Sequence, residues 1–483
     1  MSKFIVIFLI LFFIFSSITF ISGQQNETKE ISLDEFIKLA LNNSYFQEIL
    51  MSELQLVYQE RLKTPPGDLI LSVLSEYQLN YNRFFNQQLD EEDVLETYHS
   101  KYGVGLSKLF SYSGTKVSGN YSVLIDNDKN QTHTLSFKFE QDIIKNAFGN
   151  TARFKKQIAG YEKQVAYYQV VEAYEEYLAS IINLYIDWYS AFENLKYAEK
   201  SLQESQSLLK IMQNKLQYNI AHPIDLHKSE LQVISKREQL SQMQLNYKNL
   251  LFQIKEVITP EDNTTDITPD FDSFFKDFTI NLNDTYDLFE KQGRTAEIMK
   301  LINKTNSMSL VLAVDDLLPT AKLYGGYTFQ KEYKELVDPP DDIHTFDLGV
   351  KMDLSIPQLG TFADYNNKRI EKDKKILNQK NKMHDLWVSF NILYQKVENE
   401  KSLLTLSDQK IDLSQKIVNE ELKQYNQGLS SLNDLIQVYD ALDNNRLSQT
   451  NHKISYAKYY IEWLRLSDTL VTNDKEIDLI EKQ

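Results

Sequence analysis

The sequence predicts a mainly α-helical fold that also carries membrane-type β-strands, built as two copies of one strand-plus-long-helical-hairpin unit. Three observations predict it. First, the chain repeats itself. Ile31-Ser-Leu33-Asp-Glu-Phe-Ile37-Lys-Leu39 recurs in outline as Ile280-Asn-Leu282-Asn-Asp-Thr-Tyr286-Asp-Leu288, Gly149 matches Gly360, and Gln217-Tyr218-Asn219 matches Gln424-Tyr425-Asn426. Asp225, Arg237 and Tyr247 then align with Asp434, Arg446 and Tyr456 at one constant offset. A period of roughly 210–250 residues is far longer than a solenoid repeat and indicates a duplicated half-protein. Second, each copy contains a very long amphipathic run without proline. Third, the segments before those runs alternate apolar and polar residues with period two.

Each element follows from its pattern. Leu33, Phe36, Ile37, Ala40 and Leu41 recur at helical spacing, Ser32 and Glu35 form a capping box, and Pro65-Pro66-Gly67 ends the segment, so a helix is expected over 33–62. Leu71, Val73, Tyr77, Leu79 and Tyr81 then alternate with polar residues, as do Val117, Tyr121, Val123 and Ile125, and Leu135, Phe137 and Phe139. The clearest alternation is Phe346, Leu348, Val350, Met352 and Leu354 against Asp347, Gly349, Lys351 and Asp353, with Leu323, Tyr327 and Phe329 on its partner strand. Such alternation suits a half-buried soluble strand. It equally suits a barrel strand that is apolar toward lipid and polar toward a wet lumen. Several long examples in one chain favour the second reading and assign the five apolar residues of 346–354 to lipid. At ~3.3 Å per residue the segment Thr345–Ile356 extends about 40 Å, enough to cross a bilayer. Tyr81, Phe84, Phe85, Phe329 and Tyr333 sit at strand ends, where interface aromatics belong.

The long runs follow. Tyr174, Leu178, Ile181, Tyr185, Trp188, Phe192 and Leu195 begin a stripe with spacings of three and four that continues to Leu216. About 67 helical residues make about 100 Å at 1.5 Å per residue. Residues 362–426 repeat this run, and helices over about 224–257 and 432–471 fold each back on itself. The expected organisation is therefore a signal peptide over 1–23, a first structural repeat over 31–258, a linker over 259–279, a second repeat over 280–472 and a flexible tail over 473–483. The signal rests on Lys3, the apolar run Phe4–Ile21 and the small residues Ser22-Gly23. Read as an uncleaved anchor instead, the same run is long enough to span a bilayer.

Composition narrows the function. Cysteine is absent, which excludes disulfides, thiolate metal sites and cysteine nucleophiles. A formal charge of −16 argues against nucleic acid as a partner. His222 and His227 are five residues apart and do not share a helix face for metal binding. No phosphate loop, no nucleophile with a partnered base and no cofactor motif is present, so an enzyme is not expected. With two strands in the second half and two to four in the first, one chain supplies four to six. Small closed barrels need about eight, and open edges cannot face lipid. The barrel is therefore expected to be shared between copies, and three copies giving four strands each would make twelve.

Taken together, Leu33-Asp-Glu-Phe-Ile-Lys-Leu-Ala-Leu-Asn-Asn, Gln141-Asp142 through Phe148-Gly149, and Tyr425-Asn-Gln-Gly428-Leu-Ser-Ser-Leu-Asn-Asp434 give the chain a clear resemblance to the TolC-like outer membrane efflux family. The resemblance implies a homotrimer, a twelve-stranded β-barrel in outer membrane lipid continued by an α-helical periplasmic tunnel, and work as the exit duct of a tripartite efflux or type I secretion system. The partners it implies are a periplasmic adaptor protein and an inner membrane pump. In that family a Tyr and an Arg near the second turn bond an Asp at the first, and two rings of Asp narrow the periplasmic pore. Tyr425 and Asp225 match the first contact and Asp434 matches one ring. Ser430 stands where the Arg would be, and Gln437 stands where the second Asp would be. Asp225 and Asp434 also suit plain helix N-capping. The competing reading of the chain is a periplasmic coiled-coil adaptor held by an uncleaved N-terminal helix. It expects one helical hairpin flanked by Gly-rich β domains, whereas two hairpins are predicted here.

Overall fold

A computed structural model describes residues 29–42, 48–49, 52–53, 55–56, 69–86, 91–110, 113–127, 129–218, 221–258, 267–270, 279–334, 337–354 and 359–471. The expected signal peptide and charged tail lie outside these residues, as do Pro65-Pro66-Gly67 and the side chains of Tyr81, Phe84 and Phe85. Numbered in chain order, the elements are β1 (Lys29–Ser32), α1 (Leu33–Asn42), β2 (Leu69–Asn86), β3 (Glu91–Phe110), β4 (Thr115–Ile125), β5 (Gln131–Asp142), α2 (Asn150–Gln217) and α3 (Pro223–Ile258). There follow β6 (Ile267–Asp270), α4 (Leu282–Gln292), α5 (Arg294–Asp316), β7 (Thr320–Lys334), β8 (Val337–Asp353), α6 (Leu359–Asn426) and α7 (Leu432–Leu466).

The chain divides into two compact units. The helical unit takes residues 1–50, 172–290 and 387–483. Its aromatic core is built on the long helices. Tyr185 and Trp188 of α2 are fully buried, with the Tyr185 ring 5.2 Å from Phe36 of α1. The Tyr185 hydroxyl donates to the Ile31 carbonyl at 2.7 Å and the Asp270 carbonyl at 2.8 Å. That one group thus joins α2 to β1 and β6, which pair in parallel with Ile31 opposite Pro269. Burial, first, and the nearby Asp270 carboxylate push the Tyr185 phenol well above its ordinary pKa, so it stays a donor. The second copy makes the same move with other residues. Tyr286 and Phe289 of α4 lie 5.5 and 5.3 Å from Phe390 of α6, which meets Trp463 of α7 edge-on at 5.4 Å. In each copy the short helix rests on the long helix that follows it in sequence. The segment 259–279, expected as a linker, contributes β6. Its short Ile267-Thr-Pro-Asp stretch gains a partner strand and a Tyr185 bond that its Pro/Asp/Thr composition does not advertise.

The sheet unit takes residues 51–171 and 291–386. It holds one six-stranded antiparallel sheet in the order β2-β3-β4-β5-β7-β8. The first half therefore supplies four strands and the second half two, the upper end of the range expected from sequence. The pairing β5–β7 unites strands from the two sequence repeats in one sheet, with Phe137 opposite Tyr327.

Candidate functional site: an amphipathic sheet and two helix turns

Successive strand residues point to opposite faces, and residues directly paired across strands share a face. The register therefore sorts the whole sheet. One face carries Leu71, Val73, Tyr77 and Leu79 of β2, and Tyr98, Tyr102, Val104 and Leu106 of β3. It continues through Val117, Tyr121 and Val123 of β4 and Leu135, Phe137 and Phe139 of β5. It ends with Leu323, Tyr327 and Phe329 of β7 and Phe346, Leu348, Val350 and Met352 of β8. The opposite face carries Ser72, Glu76, Gln78 and Asn80, Lys101, Ser118, Asn120 and Ser122, Thr134, Ser136 and Lys138, Thr328 and Gln330, and Thr345, Asp347 and Lys351. A soluble half-buried sheet would cover its apolar face. Here that face is open: Phe346 is 81% exposed and Leu348 84%, and Val350, Met352 and Leu354 are also exposed. Patches of this extent mark an interaction surface.

Two devices fix the lower end of the sheet. The β3–β4 turn is closed by Gly114 at φ +68°, where an added Cβ would stand 2.3 Å from the Gly149 nitrogen. Between β5 and α2, Asn146 and Phe148 adopt positive φ, 57° and 50°. The Asp315 carboxylate, at the end of α5, holds this corner. It accepts the Asn146 N–H at 2.9 Å and the Thr151 hydroxyl at 2.8 Å, while the Asn146 amide donates to Asp142 at 2.7 Å. These contacts account for the Gln141-Asp142 through Phe148-Gly149 motif. Asp315 was not singled out from sequence, because a carboxylate at a helix end looks like ordinary solvated charge.

The helix turns lie in the helical unit. Gly428 at φ +76° ends α6, the Leu429 N–H bonds the Gln424 carbonyl at 3.0 Å, and Ser431 begins α7. Asp434 completes a capping box with Ser431, accepting its N–H at 3.3 Å and its hydroxyl at 2.6 Å. Asp434 and Gln437 are both exposed and lie within one helical turn of each other. Tyr425 is buried against Leu208, Met212, Leu432 and Leu435. Its hydroxyl donates to the Met212 thioether at 2.9 Å, in place of the Asp225 bond implied by the resemblance. Asp225, in the first turn of α3, acts on Tyr425 through charge: burial, first, and then the Asp225 carboxylate raise the Tyr425 pKa. Lys215 caps the site, 3.8 Å above the Tyr425 ring and 3.1 Å from its carbonyl oxygen. Ser430, in the Arg position, donates to Glu421.

Above the turns the sequence reading missed a buried ion network. Asp443 of α7 accepts from Lys236 of α3 at 2.8 Å, from Arg446 at 3.3 Å and from Ser201 of α2. Lys236 also reaches Asp440 at 2.9 Å, and Arg446 reaches Glu204 at 3.4 Å. Lys236, Asp443 and Arg446 are all buried. The signal was present: Lys236 follows Val233 by three, and Arg446 follows Leu442 by four, so both charges fall on apolar stripes. The constant offset misled, because it pairs Arg446 with Arg237, which is exposed.

No family model and no curated protein matches the sequence. The structure does have counterparts. It is similar to the CmeC outer membrane channel of Campylobacter jejuni at 14% identity and a TM-score of 0.64, covering 93% of this chain and 89% of that one. It is similar to the outer membrane protein VceC of Vibrio cholerae at 12% identity and 0.65, covering 90% and 95%. It is also similar to the MtrE outer membrane channel of Neisseria gonorrhoeae in its open state, at 12% identity and 0.60, covering 91% and 89%. Nearly full-length likeness on both sides, at identities this low, establishes one thing: the chain has the fold of the TolC-like outer membrane channels.

Proposed function

We propose that this protein is an outer membrane channel, the passive exit duct of a tripartite efflux or type I secretion system, working as a homotrimer with a periplasmic adaptor and an inner membrane pump. The observation that carries the reading is the sheet: six strands, one face predominantly apolar, the other predominantly polar, with the apolar face uncovered, in a chain with the outer membrane channel fold. The apolar face, with Phe346, Leu348, Val350, Met352 and Leu354, meets lipid. The polar face lines water. The two helical hairpins continue the duct on the periplasmic side, and Asp225, Tyr425, Asp434 and Gln437 ring its end. Closure there rests on the packing of Tyr425 against Met212 and Leu435, since the Arg of the family is replaced by Ser430. The adaptor alternative predicts one hairpin, and the two hairpins beside a six-stranded amphipathic sheet count against it. Membrane fractionation with heat-modified gel mobility tests the reading. An outer membrane oligomer that changes mobility on heating supports it, while a soluble or inner membrane protein refutes it.

A further inference from the structure

We infer that the opening turns of α2 and α6 form a basic collar that binds the phosphate headgroups of anionic phospholipids, in the leaflet on the helix side of the sheet. The inference rests on the outer membrane reading above and deepens it by naming the class of lipid recognised at one boundary of the apolar face.

The charge of the chain changes sign where strands give way to long helices. The whole sequence carries −16, yet the stretch 143–171 holds five cations, Lys145, Arg153, Lys155, Lys156 and Lys163, against the single carboxylate Glu162. The stretch 368–382 holds seven Lys and Arg against Glu371 and Asp373. Both stretches belong to the sheet unit. A solvated helix face ordinarily mixes both signs. Lys145 pairs with Asp316 at 2.9 Å and Lys368 with Glu371 at 3.1 Å. Arg153, Lys155, Lys156 and Arg369 are exposed.

The same order of residues leads into each stretch. At the end of β5 the Ile143 N–H bonds the Ala321 carbonyl at 2.8 Å, so the ladder carries on to Ile143, four residues past Phe139 and on the same apolar face. Phe148 then stands 61% exposed, and Arg153, Lys155 and Lys156 follow in the first two turns of α2. At the end of β8, Leu354 continues the apolar face, Leu359 and Phe362 are 74% and 56% exposed, and Lys368 and Arg369 follow. Apolar face, exposed ring, then cations is the order of a membrane interface, where aromatic rings sit at headgroup level and Lys and Arg beyond them meet anionic lipid. Distance ranks the two arms. At 1.5 Å per residue Lys156 lies about 9 Å along α2 from Asn150, and Lys368 about 14 Å along α6 from Leu359. The Debye length at physiological salt is about 8 Å. The α2 cluster therefore supplies most of the attraction, and the α6 cluster adds to it through long side chains that reach toward the headgroups.

Full-length protein carrying Phe148→Trp or Phe362→Trp is reconstituted into vesicles of mixed phosphatidylethanolamine and phosphatidylglycerol, with the acyl chains of one lipid or the other brominated to quench tryptophan. Quenching is read as the difference from protein with only its three native Trp. Phosphatidylglycerol should be preferred about fivefold at Phe148→Trp, the worth of one Lys or Arg near a charged leaflet, and less at Phe362→Trp. Adding Arg153→Gln, Lys155→Gln and Lys156→Gln should bring the ratio at Phe148→Trp close to one. So should salt at about 1 M, where the Debye length is about 3 Å. Val350→Trp, within the apolar face, should be quenched equally by both lipids. Equal quenching by the two lipids at Phe148→Trp, or a preference that survives high salt, overturns the inference. Absence of quenching there while Val350→Trp is quenched also overturns it, because the cations then face water, and leaves the channel reading intact. Absence of quenching at Val350→Trp as well strikes the lipid-facing assignment and the channel reading with it. If the triple glutamine variant does not fold, the salt titration of Phe148→Trp alone decides.

Discussion

The Asp443 carboxylate accepts from Ser201, Lys236 and Arg446 together, with its side chain only 10% exposed. Removing it takes a carboxylate from two buried cations at once and leaves Lys236 only Asp440 and Arg446 only Glu204 as acidic partners; breaking a buried pair costs about 3–5 kcal/mol. Asp443→Ala should therefore destabilise the purified protein by that amount in a denaturant melt, and a loss below about 1 kcal/mol would contradict the role. Lys236 shows the balance of terms. Burial opposes its charge, but hydrogen bonds and charge from Asp443 and Asp440 outweigh it, and its pKa is raised. A raised folded pKa means that the stabilisation is complete below the unfolded lysine value, about 10.4, and is lost as pH rises through the folded value. The melting temperature should fall more steeply with pH above that point in the wild type than in Lys236→Met, and parallel slopes would count against the assignment. At this scale the sequence was only partly legible. Tyr425 and Asp225 were found by motif, yet the hydroxyl bonds Met212, because a packed turn supplied an acceptor that no spacing rule anticipates.

At the scale of elements, the long helices were legible because a stripe without proline has one reading. Strands of clean alternation, β7 and β8 above all, were legible too. β3 was not, since Ser100 and Lys108 interrupt its apolar phase and Gly103 and Gly105 suggest a break. The structure explains Gly105: an added Cβ would stand 2.1 Å from the Asn120 amide oxygen and 2.7 Å from the Ser72 hydroxyl, so two polar side chains already fill that space. β6 was hidden for the opposite reason, since its strand character comes from β1 and Tyr185 and not from its own composition. Sidedness is testable in β8. Val350→Arg, on the apolar face, should cost about 2–4 kcal/mol near the bilayer midplane. Thr345→Arg, on the polar face, should cost much less. Gly349 is a poor control, because a Cβ there would meet the Tyr324 ring at 2.8 Å. Folding titrations in lipid compare the two variants, and equal losses would remove the lipid-facing assignment.

At the scale of the whole molecule, the net charge of −16 is not spread evenly. Among the described side chains on the polar face of the sheet, Lys101, Lys116, Lys138, Lys322 and Lys351 nearly balance Glu76, Glu140, Asp142, Glu332, Asp347 and Asp353. Ion preference must then come from the helical portion, where Asp434 stands exposed at the second turn. A wet, low-dielectric channel lined by carboxylates concentrates cations, so reversal potentials in planar bilayers under a salt gradient should report cation preference. Asp434→Asn should weaken that preference, and anion preference in the wild type would contradict it. The mainly helical fold with its sheet was visible in sequence because its patterns run over hundreds of residues. The strand number was not, because it depends on one hairpin.

The central claim is that the sheet separates lipid from water, and cysteine accessibility along β8 tests it most directly. Single cysteines from Ile343 to Leu354, introduced into the cysteine-free chain in outer membrane vesicles, are challenged with a membrane-impermeant maleimide. Positions 345, 347, 351 and 353 should label, and positions 346, 348, 350, 352 and 354 should stay protected until detergent is added. Labelling without period two, or protection on the Asp347 and Lys351 side, would contradict the account.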